Sequence, residues 1–315
     1  MSALPSKIET KPQVTLDQSA SWYEASARKR VGGLLDAGSF TEFIGPEQRE
    51  VSPHLPVFGL PQQFDDGMIV GRGLLDGEPV FIAAQEGRFM GGAFGEVHGA
   101  KLTGLLRAAR DAKSIPVLIL FDTGGVRLQE ANAGELAIAE IMRALLEART
   151  AGAKVIGLIG GRSGCYGGGG LLAGCCSALA VSEQGRISVS GPEVIETNRG
   201  VDEFDSKDRA MVWRTMGGKN RRLIGGADEF VDDTIQSFRA TAIHLIKSAP
   251  GFGAEILKAE QSRLQERLDR FGSCADALDI WRAAGIADAE NVPAMPAEEF
   301  ITIANNIRRP RYDAR

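Results

Sequence analysis

Apolar residues in this chain fall either in short unbroken runs or at helical spacing, and the order of the two patterns predicts an α/β fold. Residues 117–121 (Val117-Leu118-Ile119-Leu120-Phe121) and 155–159 (Val155-Ile156-Gly157-Leu158-Ile159) are continuous runs of strand length, the pattern of strands covered on both faces. Helical spacing marks 96–113 through Leu102, Leu105, Leu106 and Ala109, and 132–149 through Leu136, Ala139, Met142, Leu145 and Leu146. Strand and helix in this order imply parallel strands joined by right-handed crossovers. Upstream, 68–75 and 79–85 flank Asp76-Gly77, which predicts a hairpin. Downstream, the pattern predicts a small-residue helix over 172–176, strands over 178–182 and 186–190, and a turn at Gly191-Pro192 leading into 193–197.

Outside this central unit, 21–36 reads as a basic amphipathic helix stopped at Ala37-Gly38, glycine being a common helix terminator. Pro46, Pro53, Pro56 and Pro61 make 44–65 extended and irregular, on the surface or against another chain. Helices are predicted over 207–216, 232–247 and 256–271, with a break at Pro250-Gly251-Phe252-Gly253. The expected organisation is a flexible tail over 1–20, one main unit over 21–249, and a C-terminal helical extension over 250–315.

Composition narrows the function classes. The 315 residues are 43% hydrophobic and carry a formal net charge of -5, an ordinary globular balance with no basic field for nucleic acid. The short Arg308-Arg309-Pro310-Arg311 run reads as a solvated tail. Cys165, Cys175, Cys176 and Cys274 contain no C-x-x-C pair, so no metal site and no disulfide framework is expected. With no apolar leader or membrane-length run, the expectation is a cytoplasmic protein that neither enters a membrane nor is exported.

Candidate chemistry lies in two glycine-rich turns, each placed after an apolar strand. One is Asp122-Thr123-Gly124-Gly125-Val126-Arg127-Leu128-Gln129-Glu130; the other spans 160–170 and contains Gly167-Gly168-Gly169-Gly170. Glycine lets main-chain N–H groups approach a ligand, and N–H groups at a helix start lack internal partners. Such turns can hold a phosphate, a carboxylate or the oxyanion of an enolised thioester. A purely structural reading stands beside this one: the glycines allow tight packing, Asp122 and Thr123 satisfy turn donors, and Arg127 pairs with an acid. Other readings are weaker. Gly168-x-Gly170-x-x-Ala173 fits a loose dinucleotide pattern, but no acidic residue follows where a ribose contact needs one. Gly218-Lys219 precedes Asn220 rather than Ser or Thr, which excludes a phosphate loop. Gly161-Arg162-Ser163-Gly164 lacks the serine-hydrolase spacing. His54, His98 and His244 form no ligand pair, and His98 reads as well as a helix-starting polar residue as a proton donor.

These motifs, in this order, resemble the N-terminal half of acyl-CoA carboxyltransferases over about residues 21–233. The resemblance also rests on Ala27-Arg28-x-Arg30-Val31-x-x-Leu34-Leu35-Asp36-x-Gly38-Ser39-Phe40-x-Glu42, on Phe89-Met90-Gly91-Gly92-Ala93-Phe94-Gly95-Glu96 and on Ile187-Ser188-Val189-Ser190-Gly191-Pro192-Glu193-Val194. Within that superfamily, 87–112, 127–150 and 160–196 are most similar to beta subunits of biotin-independent malonate decarboxylases. The resemblance implies a crotonase-like (ClpP/crotonase) spiral of ββα units, and a malonyl thioester bound between this chain and a homologous gamma subunit. It further implies an acyl carrier protein bearing a CoA-derived prosthetic group, an acyl carrier protein transferase subunit, and neither biotin nor a metal. By the same resemblance, the Gly167 and Gly168 amides hold the thioester oxygen, while Gly124, Gly125, Gly91 and Gly92 line the substrate cleft. Cys165-Tyr166 stands where many relatives carry small or hydroxyl residues. There Tyr166 narrows the pocket and is one candidate proton donor, beside a water or a group of the gamma subunit. A biotin-dependent carboxyltransferase subunit and a non-catalytic CoA-binding subunit are the alternatives, and the missing four-cysteine zinc ribbon argues against the fatty-acid carboxylase type.

Overall fold

The computed structural model describes residues 20–307; the expected tail up to residue 19 and the Arg308–Arg311 run lie outside the described residues. A seven-stranded sheet in sequential order organises the chain. Its elements are α1 (Ala27–Leu34), β1 (Thr41–Glu42), β2 (Met68–Leu75), β3 (Glu78–Gln85), α2 (Glu96–Ala112), β4 (Val117–Phe121), α3 (Asn132–Thr150), β5 (Val155–Ile159), α4 (Gly168–Gly174), β6 (Ala178–Ser182), α5 (Pro192–Arg199), α6 (Arg209–Met216), α7 (Gly218–Leu223), β7 (Glu229–Val231), α8 (Ile235–Ser248), α9 (Ala254–Phe271), α10 (Ala277–Ala283) and α11 (Ala297–Asn306). The hairpin forms about Asp76-Gly77, with Leu75 opposite Glu78, and β3 to β7 run parallel.

Alternation along each strand divides the core between the two sheet faces. Val117, Ile119 and Phe121 pack with Leu102, Leu106, Ile141 and Leu145 of α2 and α3. Leu118 and Leu120 face the other way, onto Val31 and Leu34 of α1 and Phe238 of α8. Beyond β4 and β5 the chain does not turn straight into a helix. It first makes a second, smaller layer of single parallel pairings, Phe94 with Val126, Thr123 with Cys165, and Cys165 with Ile187. Strand, short strand and helix is the ββα unit expected of a crotonase-like spiral.

Several elements differ in extent from the sequence expectation. Helix α1 begins only at Ala27, where the Ser26 hydroxyl accepts from the Lys29 N–H; residues 21–25 form a turn that stacks the Trp22 ring on Phe238 at 4.0 Å. The expected strand over 186–190 is reduced to bridges at Arg186 and Ile187, because this segment pairs with the small layer rather than the main sheet. Helix α4 starts at Gly168, inside the glycine run, and ends at Gly174 instead of covering 172–176. Residues 193–197 belong to a helix, α5, opened by Pro192 at its first turn.

The C-terminal helices join the α2/α3 side of the core. Phe300 packs edge-on against Phe230 at 4.6 Å, and the Trp281 Nε1–H donates to Asn220 Oδ1 at 3.0 Å. Lys219, the residue that superficially suggests a phosphate loop, donates instead to the carbonyls of Pro293 and Met295 at 3.0 and 2.8 Å. Among the described residues no helix is long and apolar enough to cross a membrane, and no group of His, Cys, Asp and Glu is placed to hold a metal ion.

Two measurements check this packing. Phe300→Ala is expected to lower stability by about 3–5 kcal/mol in a single urea transition; a separate early transition would show that residues 250–307 fold apart from the core. His98 is fully buried in α2, its ring edge-on to Phe94, and burial together with the nearby Arg127 and Lys101 cations holds its imidazole well below the usual 6.5. The unfolded chain protonates this ring near pH 6.5 whereas the folded chain does so only at lower pH. Stability therefore falls as pH drops through that value, by up to about 1.4 kcal/mol per pH unit. Chemical denaturation between pH 7.5 and 5 should show this slope, and should show a flatter one in His98→Gln.

Candidate active site

The two glycine turns meet at the C-terminal ends of the adjacent strands β4 and β5, and Asp122 joins them. Its carboxylate accepts from the Ser163 N–H of the second turn at 2.7 Å and from Arg30 Nη1 of α1 at 2.8 Å. Arg30 is itself buried and anchored by its Nε–H on the Trp22 carbonyl at 2.8 Å. Much of the local glycine content makes room for this aspartate. A Cβ on Gly161 would lie 2.1 Å from the Asp122 carboxyl carbon, one on Gly87 2.6 Å from it, and one on Gly92 1.7 Å from the Asp122 carbonyl oxygen.

The glycines of the first turn, and Gly92 beside it, spend their main-chain donors internally. Gly124 donates to the Gly91 carbonyl at 2.9 Å, Gly92 to the Phe89 carbonyl at 2.8 Å, and Gly125 to Thr123 Oγ1 at 3.1 Å. Arg127 is sealed inside, with Nη1 2.8 Å from Asp66 Oδ2 and 3.0 Å from Glu130 Oε1, while Glu130 also accepts from the Glu96 N–H at 2.6 Å. Asp122, Thr123 and Arg127 are thus framework, as the structural reading of the sequence has it. Gly91, Gly92, Gly124 and Gly125 contribute a wall without side chains. Of these, Gly91 and Gly124 are exposed and Gly92 and Gly125 are buried.

The second turn is different. The Gly169 and Gly170 N–H groups close on the Tyr166 carbonyl, and the Leu171 N–H on that of Gly167. The Gly167 and Gly168 N–H groups meet no acceptor within the described chain, and both residues are partly exposed. Gly167 holds φ +56°, and its Cα faces that of Gly125 across the junction, where a Cβ would come within 3.2 Å. This conformation is strained for any other residue. Two adjacent, unpartnered amides at a solvent-facing junction can stabilise an oxyanion without any titratable group.

Tyr166 does not plug this junction. It is 6% exposed and packs with Phe204, Val212 and Met216. Burial raises its phenol above the ordinary value, against the opposing influence of Arg186. Cys165 beneath Gly169 is fully buried, and burial pushes its thiol well up, so it is inert. Around the junction, Leu128, Leu136 and Leu171 are exposed, Leu128 to 86%. Sequence reasoning did not foresee the Arg30–Asp122 pair, whose members lie 92 positions apart, nor Arg221, which faces a neighbouring cleft and signals itself only within the basic run Lys219-Asn220-Arg221-Arg222.

Comparison with known proteins places the chain in a family. Residues 24–220 match the carboxyl transferase domain family. The chain is 38% identical over 312 residues to the malonyl-S-ACP:biotin-protein carboxyltransferase MADC of Malonomonas rubra, with 92% of this chain and 98% of that protein covered. A Pseudomonas malonate decarboxylase hetero-tetramer solved in complex with malonate superposes with a TM-score of 0.77 at 39% identity, over 84% of this chain and 97% of the matched one. The MdcD-MdcE hetero-dimer of a Pseudomonas malonate decarboxylase gives a TM-score of 0.64 at 35% identity, over 80% and 97%. Two glycine turns locked together by a buried aspartate, a crotonase-like spiral, and these relatives lead to one conclusion: the chain belongs to the carboxyl transferase domain family, alongside malonate decarboxylase and malonyl-ACP carboxyltransferase subunits.

Proposed function

We propose that this chain is the beta subunit of a malonate decarboxylase and that, with a homologous gamma subunit, it converts a malonyl thioester on an acyl carrier protein to the acetyl thioester and CO2. The observation that carries this reading is the pair of unpartnered amides at Gly167 and Gly168. In the reaction the bond between the α-carbon and the carboxylate breaks, and its electron pair delocalises onto the thioester oxygen as an enolate. Donors already fixed at that oxygen act where charge develops, without reorganising. The enolate then takes a proton at the α-carbon. Because Tyr166 is packed among Phe204, Val212 and Met216, this proposal assigns the proton to a water or to a group of the partner subunit.

The exposed Leu128, Leu136 and Leu171 beside the junction support a site completed by another chain, since an apolar rim of this kind suits a protein interface. The prosthetic group carried by the acyl carrier protein and the transferase subunit that loads it belong to the same proposal. One observation favours a second reading: the Malonomonas relative is named as a transferase to a biotin protein, so the same enolate could follow CO2 transfer to biotin. Assay of the assembled beta and gamma subunits with malonyl thioester separates the two, CO2 release without any biotin carrier being the result expected of the decarboxylase.

A pair of variants isolates the amide. A Cβ at Gly168 would meet Ile138 at 2.6 Å, so both are made in an Ile138→Ala background. Gly168→Ala keeps the N–H; Gly168→Pro deletes it at the first position of α4, where proline fits a helix. Against the alanine variant, the proline variant is expected to lose about a hundredfold to a thousandfold in kcat. Equal turnover with weaker substrate binding would instead favour a non-catalytic thioester-binding subunit.

A further inference from the structure

A second cleft, of about 650 Å3, lies against the glycine run at Gly170 and is walled by the 187–190 segment, α5 and α7. Its polar lining comes from Ser188, Ser190, Asn198, Arg199 and Arg221, with Glu203 as its acid. Arg221 enters the cleft with its Nε buried and without a hydrogen-bond partner, and none of the ion pairs formed by the described residues includes it. This sets it apart from two fully buried arginines. Arg30 is paired with Asp122, and Arg127 with Asp66 and Glu130.

Glu203 lines the same cleft, but none of the ion pairs among the described residues joins it to Arg221. The Arg267 cation opposes Arg221, and burial lowers the Arg221 guanidinium to about 10. Arg186, on the Tyr166 side, donates to the carbonyls of Gln184 and Arg162 and lies over the Tyr166 and Trp213 rings. The Tyr166 hydroxyl is buried without a well-formed hydrogen bond and feels Arg186, Arg221 and the Glu193 carboxylate. A half-buried guanidinium without a counter-charge keeps its donors available, and a planar fork of donors is suited to two oxygens of one anion. We infer that this cleft is an anion subsite in which Arg221, helped by Arg199 and the Ser188 and Ser190 hydroxyls, takes a carboxylate or phosphate group. Gly167 and Gly168 are not among its lining residues, and its occupancy requires no turnover.

Isothermal titration of the full chain with malonate and, separately, with inorganic phosphate, both against a chloride background, tests this. Saturable binding of at least one anion is expected, and the tighter of the two identifies the group. Loss of charge-assisted hydrogen bonds in Arg221→Gln should weaken that binding about tenfold to a hundredfold, with Arg221→Lys between it and the unaltered chain. Should Arg221→Gln not fold, the exposed Arg199→Gln carries the test through a several-fold loss. Absence of saturable binding by the unaltered chain would overturn the proposal. So would an affinity unchanged in Arg221→Gln, or, in place of that variant, in Arg199→Gln. A malonate affinity lost in Gly168→Pro but kept in Arg221→Gln would place the anion at the amides and leave the decarboxylase reading intact.

Discussion

The buried ion pair between Arg30 and Asp122 is the constraint on which the site depends. It ties α1 to the end of β4 at 2.8 Å, and through the second carboxylate oxygen and the Ser163 N–H it ties β4 to the turn after β5. Neither group can be solvated in place, so each is held by the other and by hydrogen bonds from the backbone. Removing one partner of such a pair leaves an uncompensated charge and costs about 3–5 kcal/mol. Glycines 87, 92 and 161 leave the space in which the Asp122 residue sits. Much of what reads as ligand-binding glycine is thus the mould for one aspartate.

With the turns locked, the fate of each amide follows from local geometry. The glycine donors of the first turn fold onto the Gly91 carbonyl and Thr123 Oγ1, and the neighbouring Gly92 donates to Phe89. The second must pass from the small layer into α4 within a few residues, and the reversal at Gly167, with φ +56°, leaves two N–H groups without acceptors. Polar main-chain groups are seldom left unpaired unless water or a ligand reaches them. Their partial exposure meets that condition. The side chains beside them, the Cys165 thiol and the Tyr166 phenol, are both pushed up by burial, so this chain offers dipoles rather than ionisable groups at the junction.

Apolar runs and periodicity carry the architecture because they reflect burial directly. β4, β5 and β6, the β2/β3 hairpin, and helices α2 and α3 all appear where the pattern places them, to within a residue or two. Segments that pair outside the main sheet are poorly legible. Residues 186–190 have strand-like composition, yet only Arg186 and Ile187 form bridges, since a one-residue pairing in the small layer leaves no alternation to read. The early start of α4 is equally hidden, because glycine-rich sequence has low helical propensity and the helix is held there by packing on α3 and the core.

By itself, the sequence determined the α/β order, the two glycine turns at strand ends, and the resemblance that the carboxyl transferase match confirms over 24–220. These are properties of local pattern and of residue type, which need no knowledge of what lies far along the chain. Only the tertiary structure decided which glycines keep free amides, which of them merely surround Asp122, that Arg30 is that aspartate's counter-charge, and that Arg221 has none. Each of those outcomes rests on contacts between residues tens to hundreds of positions apart, and a hydrogen bond across such a distance leaves no mark in the composition of either segment.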